Sequence, residues 1–122
     1  LKYDEGIMND PHGNVSTCNS TNLFFIKKSQ VWTSTGEFCL NGITRSKAIQ
    51  ICHMNDIPCN EKNFTFEDIK DCEEAFVTGT FAGIIPVSKI EKHELNSTNS
   101  NSLVNKIRAS YNQYINQYIS AQ

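Results

Sequence analysis

The sequence carries almost no surplus of charge. Eleven Lys and Arg stand against thirteen Asp and Glu, a net −2, and the basic residues are scattered. No basic stripe can be drawn along it, which argues against nucleic acid as a partner. No apolar run approaches the roughly 20 residues of a membrane span, so no membrane association is expected. No positively charged and then apolar leader opens the chain, and the expectation is a cytoplasmic protein. Cysteine occurs at Cys18, Cys39, Cys52, Cys59 and Cys72, yet no Cys-x-x-Cys pair exists, and His12, His53 and His93 complete no zinc pattern. The odd count and irregular spacing predict small buried thiols in a reducing compartment, with neither disulfide nor metal. Sequons begin at Asn14, Asn19, Asn63 and Asn96. In so Asn-rich a chain such matches arise by chance. There is no internal repeat.

What remains is a globular composition, 39% hydrophobic over 122 residues. That fits one domain, residues 1–122, with a modest core. "EGIMND" and "NVST" read as extended segments on either side of an Asp-Pro…Gly turn. "NLFFIKK" (Asn22–Lys28) is the clearest strand, its continuous apolar centre suited to burial on both faces. Ser29-Gln30 can turn the chain, so that "VWT" returns as a hairpin partner. From Thr44, the positions Ala48, Ile49, Ile51 and Cys52 keep one helical face that fades near Asn55. Asp56–Phe64 reads as a strand, and Thr65 before an acidic first turn suits a short helix. Glu74–Ile90 is two extended apolar segments broken at Gly79 and Gly83. "NSTNSNS" (Asn96–Ser102) reads as a polar loop tolerated without a role. Beyond it, Val104, Ile107, Tyr111, Tyr114 and Tyr118 form the stripe of an amphipathic helix. Strands and helices mix without strict alternation, which predicts one α/β (α+β) domain built around a sheet.

Two segments carry the chemistry. "NGIT" (Asn41–Thr44) and "TGT" (Thr78–Thr80) each put glycine beside threonine at the end of an apolar element. Glycine lets backbone approach a ligand without a Cβ in the way. A helix start offers unpaired N–H groups and partial positive charge, and a threonine hydroxyl adds a donor. Such segments can hold a phosphate without lysine or arginine.

In order and wording, "EGIMNDPHGNVSTCNSTNLFFIKK", "CLNGITRSKAIQIC", "DIPCNEKNFTFEDI" and "EEAFVTGTFAGIIPV" resemble the C-terminal domain of the class IV aminotransferases. These are fold type IV enzymes that use pyridoxal 5'-phosphate (PLP). The family includes branched-chain and D-amino-acid aminotransferases and aminodeoxychorismate lyase. The resemblance spans about Asp4 to Ile90. It implies that the amides of Ile43 and Thr44 hold the cofactor phosphate, that Leu40 packs on the pyridine ring, and that Thr80 makes a second phosphate contact. The amide of Phe81 would then meet the substrate carboxylate, and Arg45 would be a structural partner. Asn41 stands where the family usually has proline.

Thr17 sits where the family carries the glutamate that keeps the pyridine nitrogen protonated. A hydroxyl can bond that nitrogen but does not hold a proton there, so a weaker electron sink is implied. No catalytic residue is assigned within the chain. The Schiff-base lysine and the N-terminal domain of the family have no counterpart here, and Lys2 falls at an ordinary surface position, so a fragment of a longer enzyme is expected. The resemblance further implies an amino acid and a 2-oxo acid as substrates and a homodimer. The alternatives are a lyase acting on the same kind of adduct, and a non-catalytic domain that keeps the fold.

Overall fold

The computed structural model describes residues 7–9, 15–18, 22–34, 43–79, 83–90 and 93–120, with backbone alone at 7–9, 15–18, 43, 66 and 118–120. The Asp-Pro…Gly turn therefore lies outside the described residues. The extended segments beside it are β1 (Ile7–Asn9) and β2 (Val15–Cys18). They pair antiparallel, with Met8 opposite Thr17 and a register shift between Met8 and Asn9.

Next come β3 (Asn22–Lys27) and β4 (Gln30–Thr33), a tight hairpin with Lys27 opposite Gln30. Its two loop residues, Lys28 and Ser29, both have positive φ, 55° and 64°. That is the sign pattern of the turn whose twist matches a two-residue hairpin. The sequence reading placed this turn one residue late, because neither residue is the glycine or asparagine that such a turn favours. Glu73 holds it in place. Its N–H donates to Ile26 O (3.0 Å), and its carboxylate accepts the Lys28 N–H (3.3 Å).

After β4 the chain passes into α1 (Ile43–Met54) and returns as β5 (Cys59–Glu61). β5 pairs parallel with β4, which requires a crossover, and α1 supplies it. The strand expected over Asp56–Phe64 shortens to these three residues. Asp56 has φ 59°, and the carbonyl of Pro58 accepts the Val31 N–H at 2.8 Å. Pairing can begin only after that corner. The single-turn α2 (Phe66–Ile69) starts where expected. The Thr65 N–H donates to Asp68 Oδ2 (2.9 Å), and the Asp68 N–H donates back to Thr65 O (3.0 Å).

β6 (Glu74–Gly79) and β7 (Gly83–Val87) form a second hairpin with Gly79 opposite Gly83. A small hairpin that the sequence reading missed follows, β8 (Lys89–Ile90) with β9 (His93–Glu94). The chain then enters α3 (Leu103–Ser120). Five strands make the central sheet in the order β5-β4-β3-β6-β7. Pro86, which lacks a ladder donor, is tolerated because β7 is an edge strand.

Alternation sorts the side chains onto two cores. Leu23, Phe25, Ala75 and Val77 point to one face and meet Phe64, Ile69, Cys72, Ile90 and Leu95. Phe24, Ile26, Val31, Phe76 and Ile84 point to the other, under Ala48, Ile51 and Cys52 of α1 and Val104 and Ile107 of α3. Phe24 and Phe76 stack at 4.7 Å between ring centroids. Each such buried side chain contributes roughly 1.5–3 kcal/mol. Tyr111 and Tyr114 continue the α3 stripe, partly buried, and the Lys47 ammonium lies 5.1 Å from the Tyr114 ring centroid. The side chain of Tyr118 lies outside the described residues.

The loop over 96–102 is not passive, contrary to the sequence reading. Ser97 Oγ accepts the Ala75 N–H (2.8 Å), and Ser102 Oγ donates to Ser97 O (2.8 Å). Ser102 Oγ also accepts the Asn105 N–H (3.0 Å), which caps α3. The Glu74 carboxylate accepts the N–H groups of Leu103 (3.2 Å) and Val104 (2.8 Å). The loop thus seals one end of β6 and caps α3 through Ser102, while Glu74 of β6 supplies the negative charge at the start of α3.

Candidate functional site

α1 begins at the edge where β4 and β6 end and β3 begins. The placement follows from chain direction and from one side chain. Because β4 and β5 are parallel, α1 must run back along the sheet, so its first turn lies at the C-terminal end of β4. Arg45, 5% exposed, fixes that turn: its Nη2 donates to Ser34 O (2.7 Å) and meets Glu61 Oε1 (3.2 Å). One guanidinium thereby ties α1 to the ends of β4 and β5. Arg45 is committed to protein partners, as the sequence reading expected.

Phe24 is opposite Thr33, so Asn22 lies beyond the end of β4, directly opposite Thr78. Period-two alternation puts Asn22 on the face of Phe24 and Thr78 on the face of Phe76, the face that α1 and α3 cover. The apolar floor therefore ends in a polar pair next to the α1 start. Asn22 is 4% exposed and Thr78 2%. On α1, Thr44 is buried and lies one turn before Ala48 on the same helix face.

Among the described residues, three buried side-chain atoms have no hydrogen-bond partner: Asn22 Oδ1, Thr78 Oγ1 and Arg45 Nε. All three are at this edge. Buried polar atoms are normally paired, so their concentration in one place marks where a polar partner is missing. Thr33, by contrast, is satisfied, its hydroxyl donating to Leu23 O at 2.8 Å.

The electrostatics agree. The first turn of α1 contains no acidic residue, so its positive end is not neutralised from within. The start of β7 packs closely against α3. Gly83 has φ +72°, and a Cβ there would lie 2.9 Å from Tyr111 Cε2. The glycine thus permits both the left-handed backbone and the close approach of the ring.

The thiols lie elsewhere. Cys52, near the end of α1, keeps its proton far more firmly than an ordinary thiol, first through its hydrogen bond to Cys59 and then through burial. The same bond holds the Cys59 thiol below its usual range. Burial pushes Cys72 up to about 11. Cys52, Cys59 and Cys72 are free. Cys39, and the side chain of Cys18, lie outside the described residues.

Of the residues that the sequence singled out, Ile43 opens α1 and Thr44 is buried in its first turn. Thr17 lies on β2, which packs against β3. Leu40, Thr80 and Phe81 lie outside the described residues. In sequence, Leu40 lies three residues ahead of the start of α1, and Thr80 and Phe81 lie between β6 and β7. Sequence reasoning missed Asn22, and within the Thr78–Thr80 segment it gave the phosphate contact to Thr80 and gave Thr78 no role of its own. Each is a polar residue in the same alternation as a core phenylalanine, and that was the available signal.

The sequence model described as amino-transferase class IV matches residues 1–90. The branched-chain-amino-acid aminotransferase of Pseudomonas aeruginosa is 30% identical over 108 residues, 88% of this chain and 35% of that protein. The crystal structure of the branched-chain aminotransferase of Thermoproteus uzoniensis with norvaline superposes with a TM-score of 0.82 at 32% identity. It covers 91% of this chain and 37% of its own. The branched-chain amino acid aminotransferase of T.th. with pyridoxamine 5'-phosphate gives 0.80 at 27% identity, over 88% and 36%. The chain thus spans about a third of the length of these relatives, which are enzymes, and shares their mixed sheet-and-helix fold. It belongs to the class IV aminotransferase family.

Proposed function

We propose that residues 1–122 are the cofactor-cradling, C-terminal domain of a PLP-dependent aminotransferase. The whole enzyme would move an amino group between an amino acid, of branched-chain or D type, and a 2-oxo acid. One observation carries this reading: the unpartnered buried polar atoms gather at the edge where α1 begins and β6 ends. The residues present fit an anionic cofactor. They combine the orphaned donors Thr78 Oγ1 and Arg45 Nε with a helix start whose first turn has no acid, and such donors beside a positive helix end suit a phosphate ester.

In this reading the amides of Ile43 and Thr44 and the hydroxyl of Thr80 bind the phosphate. Leu40 packs on the ring and keeps water from it. Thr17 bonds the ring nitrogen through its hydroxyl and leaves that nitrogen without a firmly held proton. The Phe81 amide orients the substrate carboxylate. Arg45 positions the phosphate-binding turn by anchoring it to Ser34 and Glu61. When bound, PLP supplies an aldehyde that takes up the amino group and a ring that accepts electron density. The covalent lysine belongs to a part of the enzyme outside these residues.

We also assign the enzyme a homodimeric state and a cytoplasmic location. The family resemblance supports the first, and the free thiols Cys52, Cys59 and Cys72 are in keeping with the second. The test is to add PLP to the full-length protein, record the absorbance of bound cofactor, and then assay amino donors against 2-oxo acids. No bound cofactor, or bound cofactor that no amino donor alters, would defeat the proposal. Thr17 favours a second reading, a domain that keeps the fold without turnover. Cofactor binding in the absence of any amino-group transfer would decide for it.

A further inference from the structure

Asn22 and Thr78 have no role in the site as proposed, yet they hold two of its three unpartnered buried atoms. They are direct cross-strand partners, which places their Cβ atoms about 4.5–5.5 Å apart. The Thr78 hydroxyl could donate to Asn22 Oδ1, but neither atom has a partner. Both are at least nine-tenths buried, and the Phe24–Phe76 stack and Ile84 close the floor beside them. Bulk water therefore does not satisfy them from the sheet side.

Donor and acceptor bookkeeping narrows what can. Asn22 Oδ1 only accepts, and a phosphate dianion only accepts. A direct contact between them would be repulsive. A water molecule is the small species that donates to both. It can give one hydrogen to Asn22 Oδ1 and one to a phosphate oxygen while accepting the Thr78 hydroxyl. It then has three partners, the usual number for a buried water.

We infer that Asn22 and Thr78 hold a buried water that hydrogen-bonds the cofactor phosphate, a contact additional to those of the α1 start and Thr80. The inference rests on the PLP reading above. The pair is a phosphate-recognition device: it senses the ester and not the ring. A bridging water is energetically close to a direct hydrogen bond.

The test compares full-length wild type, Thr78→Val and Thr78→Ser. The readouts are the dissociation constants of PLP and of pyridoxal, which lacks the phosphate, and the melting temperature of the cofactor-free protein. Thr78→Val is isosteric and removes an unsatisfied hydroxyl, so the cofactor-free protein should melt at the same temperature or higher. PLP affinity should fall about two- to tenfold, the worth of one neutral hydrogen bond, that of the Thr78 hydroxyl to the bridging water. Pyridoxal affinity should not change, and Thr78→Ser should bind PLP as wild type does. The inference is overturned if Thr78→Val binds PLP like wild type, if pyridoxal weakens equally, or if the cofactor-free protein melts lower. Wild type that binds no PLP at all would instead bring down the reading beneath it.

Discussion

Gly83→Ala tests how closely α3 packs against the start of β7. Gly83 has φ +72°, where an L side chain costs about 1–2 kcal/mol. The new Cβ would stand 2.9 Å from Tyr111 Cε2 and 3.5 Å from Cδ2. The Tyr111 ring must therefore swing off its rotamer, at a further cost of about 0.5–1.5 kcal/mol. The total is about 1.5–3.5 kcal/mol. A urea titration of the full-length protein, free of cofactor, should show a lower midpoint at unchanged slope. The two terms separate in a double-mutant cycle. Tyr111→Leu removes the obstructing ring atoms but leaves the backbone strain. Gly83→Ala in that background should cost about 1 kcal/mol less than in wild type. PLP should also bind more weakly to Gly83→Ala, because Gly83 follows by three residues Thr80, for which a phosphate contact is proposed. A loss below about 0.5 kcal/mol, or a cycle with no coupling, would refute the claim that glycine is required here for both reasons.

Thr17→Glu should strengthen the electron sink. In a single-turnover reaction with an amino acid, about 1.4 kcal/mol of extra transition-state stabilisation would appear as a roughly tenfold faster half-reaction. An unchanged rate would mean that residue 17 does not meet the ring nitrogen. Ser102→Ala should cost about 1 kcal/mol of stability by thermal melting, as loss of a helix cap does, and Ser102→Asn should recover most of it. Cys72 makes stability fall at high pH. Its thiol ionises near 9 when unfolded and near 11 when folded. The contribution is therefore complete below pH 9 and is lost as pH rises from 9 through 11. Cys72→Ala should flatten that part of a stability-against-pH curve.

Where periodicity is strong, the sequence was legible. "LFFI" announces a strand buried on both faces because no polar residue interrupts it, and Leu23 and Phe24 do enter opposite cores. The α1 and α3 stripes were readable for the same reason. The Lys28–Ser29 turn was not, because its positive φ values are enforced from outside by Glu73, 45 residues away. The work of Ser97 and Ser102 was hidden likewise. A serine-rich run looks like solvent-exposed loop until β6 is seen to present Ala75 N–H to it. At the site, the glycine–threonine segments could be found from spacing. Asn22 could not, nor could the separate part of Thr78, because a polar residue at a strand end ordinarily marks a boundary. Only their pairing shows that both are buried and face one another's side of the sheet.

The three helices make the case for an anion at α1 by contrast. Each has a positive end, and the described contacts show how two of them are quieted. α2 meets Asp68 at its start. α3 receives both oxygens of Glu74 and the hydroxyl of Ser102. Those carboxylates arrive from the protein, so neither helix has use for a ligand. The first turn of α1 instead carries Thr44 and Arg45, with no acid among its residues. The guanidinium there is drawn sideways to Ser34 and Glu61, away from the helix axis. Among the described residues, no carboxylate is seen to supply negative charge to this helix start. Replacing Thr44 by aspartate would do so. It should stabilise the cofactor-free protein by about 0.3–1 kcal/mol through the helix dipole while abolishing PLP binding through repulsion of the phosphate. A Thr44→Asp protein that still bound PLP would show that the anion sits elsewhere.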